Sequence, residues 1–80
     1  MNRRSLYRSI VGAHLLVYSE TWAHTFTTTF VVRRRSQKHG ERQQHVVIAS
    51  PLGCEERLPF ATLCEAIERG EIRVTYTSTL

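Results

Sequence analysis

The stretch Trp22–Ile48, WAHTFTTTFVVRRRSQKHGERQQHVVI, decides how the chain is read. Trp22, Phe26, Phe30 and Val32 fall at even positions, and Thr25, Thr27, Thr29, Arg33 and Arg35 at odd ones. A period of two with one apolar and one polar face specifies a half-buried strand. A second run, Arg42 to Ala49, carries Val46, Val47 and Ile48. Arg33-Arg34-Arg35-Ser36-Gln37-Lys38-His39-Gly40 lies between them, the most basic segment of the chain. The pattern predicts a β-hairpin with a cationic tip.

The apolar alternation narrows the register. Phe30 opposite Ile48 and Val32 opposite Val46 keep apolar side chains together and set Arg34 opposite Gln44. A slip of one residue would turn Val46 and Ile48 away from the Phe30 face. The turn then centres on His39, with Gly40 as the left-handed residue of a three-residue loop.

Outward from the hairpin, the clearest helix follows Pro59. Phe60, Leu63, Cys64 and Ile67 recur at i, i+3, i+4 and i+7, with Pro59 suited to the first helical position and Gly70 to the residue beyond the end. Glu65 and Arg69 are spaced as an i, i+4 ion pair. Ile72 to Leu80 alternates again and predicts a last strand, whereas Cys54-Glu55-Glu56-Arg57 reads as a polar connector. Residues 9–18 fit either a strand or a helix with the stripe Leu6, Ile10, Ala13 and Val17, capped by Ser5. Val11, Leu15 and Tyr18 lie off that stripe and favour the strand. Residues 1–8 are polar and basic and are expected to be loosely ordered. The expected architecture is a single α+β domain over residues 1–80. It has two layers, a mainly antiparallel sheet of three to four strands and one covering helix, in the order (β or α)-β-β-α-β. Its threonine-rich strands should leave an uncovered face of short polar side chains.

The composition agrees with one small folded domain: 80 residues, 41% hydrophobic and 22% charged. A core this small supplies about 3–5 kcal/mol at most without help, so pairing with a second copy as a homodimer is a reasonable expectation. The formal charge of +4 is unevenly spread. Residues 1–45 carry eight Arg and Lys against Glu20 and Glu41, while residues 46–80 carry Arg57, Arg69 and Arg73 against five glutamates. The apolar stretch Ile10–Tyr18 is broken by Gly12 and His14 and is far short of the roughly 20 residues a spanning helix needs. It is also not followed by a signal-peptide cleavage pattern. A cytoplasmic protein with reduced thiols is expected.

Catalytic chemistry finds little purchase. The chain has no Asp, which excludes a Ser-His-Asp arrangement, and no nucleophile elbow to which Glu could contribute. Cys54 with His24 as base is disfavoured, because Glu55 and Glu56 oppose a thiolate. Cys64 belongs to the helix core stripe. His14, His24, His39, His45, Cys54 and Cys64 offer potential metal ligands, but none is spaced as a structural zinc pair. No glycine-rich phosphate loop is present. These residues call for no cofactor, metal or membrane partner.

What remains is an Arg-rich surface: Arg33, Arg34, Arg35, Lys38 and Arg42 on the hairpin, joined by Arg3, Arg4 and Arg8. Arginine forks suit carboxylates and phosphates. The first expectation is a small non-enzymatic binding protein, a stoichiometric inhibitor of the phage or mobile-element type. It would be anti-CRISPR-like, blocking a protein complex that handles nucleic acid. The alternative is a small regulator that binds DNA or RNA directly through the hairpin, as a two-stranded ribbon in a groove or along the phosphate backbone.

Overall fold

The computed structural model describes residues 2–17 and 29–76. They form α1 (Arg3–Ser9), β1 (His14–Val17), β2 (Thr29–Ser36), β3 (His45–Ala49), β4 (Glu55–Pro59), α2 (Phe60–Glu68) and β5 (Ile72–Tyr76). The strands make one antiparallel sheet in the order β4-β3-β2-β1-β5. The domain is α+β, with the hairpin at its centre. Trp22, His24, Phe26 and the carboxy-terminal part of the expected last strand lie outside the described residues.

The sheet has five strands rather than three or four, because Glu55–Pro59 forms β4 where a connector was expected. Its charged residues hide it from periodicity, and only Leu58 is deeply buried. β4 gains strand geometry by pairing with β3 along its whole length, from His45 opposite Pro59 to Ala49 opposite Glu55. The two edges, β4 and β5, run parallel to each other, and α2 carries the chain from one to the other.

One apolar cluster lies between sheet and helices. It contains Leu15, Val17, Val32, Val46, Ile48, Leu58 and Ile72 from the strands, and Phe60, Leu63, Cys64 and Ala66 from α2. Ile67 completes the expected helical stripe as a half-buried residue against that core. Pro59 stands just before the helix as its N-cap rather than inside it. The other end is a Schellman motif: the Gly70 amide donates to the Ile67 carbonyl at 3.1 Å and the Glu71 amide to the Ala66 carbonyl at 2.9 Å. Gly70 takes φ +78° there, as that motif requires.

Two amino-terminal expectations are corrected. Within the segment expected to be loosely ordered, Arg3–Ser9 is helical. Its cap is Asn2, not Ser5; the Asn2 Oδ1 accepts from the Arg4 and Ser5 amides at 3.0 and 3.2 Å. Residues 14–17 are a strand, as favoured. Ile10, Ala13 and Val17 are all buried, with Leu6 packed against them, so the apolar residues of the alternative helical stripe reach the core. They do so as a helix, a turn at Gly12 and a strand.

The hairpin register is also corrected. Val32 lies opposite Ile48 and Val31 opposite Ala49, two residues from the expected pairing. Phe30 instead faces Leu15 on β1. Alternation fixes which face each residue takes but does not distinguish registers two residues apart, so both satisfy the apolar pattern. A bulge follows, placing Arg34 opposite Val47, Arg35 opposite Val46 and Ser36 opposite His45. Residues 37–44 form a longer loop than the expected three-residue turn, although Gly40 does adopt φ +85°.

Candidate partner-binding surface

The bulge in β2 divides the three consecutive arginines. Arg33 is the extra residue, without a partner across the ladder. It shares the sheet face away from α1 and α2 with Val31, Val47 and Arg34. Arg34 reaches Glu55 on β4, Nη1 to Oε2 at 3.3 Å. Arg35 turns to the opposite, helix-covered side, where its guanidinium carbon lies 5.7 Å from the centroid of the Tyr7 ring. The alternation had paired Arg33 with Arg35 and set Arg34 apart. The inserted residue reverses that grouping.

Tyr7 fixes α1 over this end of the sheet. Its ring meets Phe60 edge-on at 4.8 Å, and its hydroxyl donates to the His45 carbonyl at 3.4 Å. Arg4 and Arg8, four residues apart on α1, share one helix face and are exposed. Arg3 is drawn away to α2, where its fork meets both Glu68 oxygens at 3.1 to 3.3 Å. That pairing raises the Arg3 pKa, first through the hydrogen bond and then through the charge of Glu68. Arg69 and Glu65 form the expected i, i+4 pair at 3.8 Å.

Loop 37–44 is built on Glu41. Its Oε1 accepts from the Lys38 amide at 2.6 Å and from Nη2 of Arg57, and its Oε2 lies 3.6 Å from Nδ1 of His45. Arg57 also donates through Nε to the Ser36 hydroxyl at 2.9 Å. The Arg57 hydrogen bond, followed by that from Lys38, holds the Glu41 carboxyl down at about 2 from an ordinary 4.5. Arg57 did not stand out in the sequence, because nothing local links residues 41 and 57. The Lys38 and Arg42 side chains are exposed on this loop.

The eight cations singled out from sequence thus do not form one patch. Arg3 and Arg34 are occupied by Glu68 and Glu55. Arg4, Arg8, Arg33, Lys38 and Arg42 have no acidic partner among the described residues, and Arg35 is stacked on Tyr7. Arg73 on β5, which the sequence reading left aside, is exposed opposite Leu16 and is likewise without an acidic partner among the described residues.

On the sheet face away from α1 and α2, Val47 and Ala49 are buried and Val31 is half-buried, while Thr25, Thr27, Thr77 and Thr79 of the expected polar face lie outside the described residues. A cavity of about 340 Å³ opens there, lined by Val31, Ala49 and Pro51 together with His14, Thr29 and Arg33.

Cys54 is exposed and Cys64 buried, both as free thiols; burial pushes the Cys64 thiol up. His24, the base weighed and disfavoured for Cys54, lies outside the described residues. Among the described residues no three His, Cys, Asp or Glu side chains gather as a metal site, and no helix is long and apolar enough to cross a membrane. No protein family, curated protein or solved structure matches the chain.

Proposed function

We propose that this chain is a small non-enzymatic binding protein of the cytoplasm that docks onto a protein complex handling nucleic acid and blocks it stoichiometrically. The setting would be that of phage or mobile-element inhibitors of host defence, anti-CRISPR-like in kind. That setting rests on the excess of arginine and on the lack of a catalytic motif in the sequence. The contact surface is the set of exposed cations: Arg33, Lys38 and Arg42 on the hairpin, and Arg4 and Arg8 on α1, with Arg35 between them on Tyr7.

One observation favours a protein over a nucleic-acid groove. β3 is paired with β2 on one side and with β4 on the other, from His45 to Ala49. The hairpin is therefore flush within the sheet and does not project as a free two-stranded ribbon, the form that enters a major groove. Its cations are divided between both faces of the sheet and the loop. A partner surface that wraps several sides of a small domain can engage such an arrangement, using carboxylates where its substrate phosphates would lie.

Purified protein added to an isolated nucleic-acid-binding complex, captured from nuclease-treated bacterial lysate, should abolish that complex's substrate binding at about one equivalent. Charge reversal at Arg4, Arg8 and Arg33 together should relieve the block while leaving the fold intact. Inhibition undiminished by that triple change would remove the reading.

Direct binding of DNA or RNA is the second reading, and Arg4, Arg8, Lys38 and Arg42, without acidic partners among the described residues, favour it. It requires anisotropy binding to mixed oligonucleotides that weakens steeply from about 50 to 200 mM salt. No binding at the lower salt eliminates it.

A further inference from the structure

The cavity on the sheet face away from α1 and α2 brings an apolar wall and a cation together. Its apolar wall comes from Val31, Ala49 and Pro51. Its cation is Arg33, which the bulge leaves without a cross-strand partner and which has no acidic partner among the described residues. The neighbouring Arg34 already has a carboxylate beside it, pairing with Glu55 at 3.3 Å. Beyond Pro51, Leu52 stands 85% exposed in the turn between β3 and β4.

We infer that this cavity is a socket for an acidic, apolar-tipped segment of a partner protein. An aliphatic or aromatic side chain fills the wall formed by Val31, Ala49 and Pro51. A neighbouring carboxylate receives the Arg33 fork. The inference rests on the proposed binding function and specifies the chemistry of the partner. Charge complementarity selects an acidic occupant, since the chain is basic overall and Arg33 is its available cation at this site. The apolar wall favours a peptide side chain over a nucleic-acid backbone, whose sugar carbons sit between ether and phosphate oxygens. A single available guanidinium also falls short of the row of cations that tracks a phosphate chain.

The probe is a fluorescein-labelled peptide that alternates Glu with Leu and Phe. Three controls accompany it: a peptide with Gln in place of Glu, an equally acidic peptide with Ser in place of Leu and Phe, and a single-stranded oligonucleotide. The expected result is saturable binding of the first peptide, with amide shifts at Val31, Arg33 and Ala49. Each control peptide should bind more weakly, and Arg33→Glu should weaken the first peptide by ~10-fold or more. Arg69→Ala, at the end of α2 on the other side of the sheet, should leave that affinity within about twofold, since an exposed charge away from the site contributes little. An unchanged amide spectrum outside the cavity will verify that Arg33→Glu folds.

Equal binding of the Ser-containing peptide, shifts centred on Arg4, Arg8 or Lys38, preference for the oligonucleotide, or no peptide binding at millimolar concentration each overturns the socket. The wider reading is separable. If Arg33→Glu abolishes peptide binding yet inhibition of the captured complex persists, the socket is not the docking site and the inhibitor reading stands on the other cations.

Discussion

Glu41 on the hairpin loop accepts a hydrogen bond from Arg57 on β4, so the tip of one strand pair is tied to the next strand of the sheet. The same carboxylate oxygen receives the Lys38 amide. The loop is therefore organised by a side chain rather than by a tight turn. Its charged partner is supplied by a strand that is distant in sequence and adjacent in space.

This tie gives the loop an acid limit. The folded-state pKa of Glu41 is lowered from 4.5 to about 2, so its contribution is fully present above the unfolded value. It is lost as pH falls through the folded one. Protection of the Lys38 amide should decline between pH 4.5 and about 2, and the Glu41 carboxyl should titrate near the lower value. Arg57→Ala removes the strongest of its hydrogen-bond partners and should move that titration upward, measured through the side-chain carboxyl carbon. An unmoved titration would contradict the role assigned to Arg57.

Arg35 and Tyr7 should show measurable coupling. A cation over an exposed aromatic face contributes about 0.5–1 kcal/mol. A double-mutant cycle with Arg35→Ala and Tyr7→Leu, read by urea denaturation, should return an interaction energy of that size. Tyr7→Phe keeps the ring and removes only the 3.4 Å hydrogen bond to His45. It should retain most of the coupling to Arg35.

Leucines 63 and 52 make a matched pair. Leu63 is fully buried in α2, and Leu52 is 85% exposed. Leu63→Ala should cost ~2–5 kcal/mol from lost burial and the cavity left behind. Leu52→Ala should change stability by less than about 0.5 kcal/mol. Thermal unfolding of both variants checks the contrast, and equal shifts would show that α2 does not pack as described.

The helix end can be tested through Gly70. A Cβ at this position meets no atom within 4 Å, so any cost arises from the backbone at φ +78°. Gly70→Ala should destabilise by about 1–2 kcal/mol, and Gly70→Asn by less, because Asn tolerates the left-handed region better. Denaturant midpoints at constant m-value decide between them.

Much of the fold was legible in the sequence because its signals are local. Phe60, Leu63, Cys64 and Ile67 recur at helical spacing, and Gly70 ends the helix as that spacing implies. Val32, Val46 and Ile48 reach the core on the face the alternation assigns them. β4 was hidden because Glu55, Glu56 and Arg57 carry no apolar alternation, and α1 because its apolar contribution is limited to Leu6 and Tyr7. In the candidate surface, the list of cations was readable and their arrangement was not.

By itself, then, the chain's sequence determined the α+β class, the central hairpin, α2 and the excess of arginine. Periodicity and local backbone preference act between residues a few positions apart and leave their mark in the order of the letters. The tertiary structure alone decided that Arg33 lines a cavity while Arg34 meets Glu55 and Arg35 stacks on Tyr7. It also decided that Glu41 is held by Arg57. Those outcomes turn on one inserted residue in β2 and on pairing between separated strands. Registers two residues apart satisfy the same alternation, and only long-range packing and charge partners choose between them.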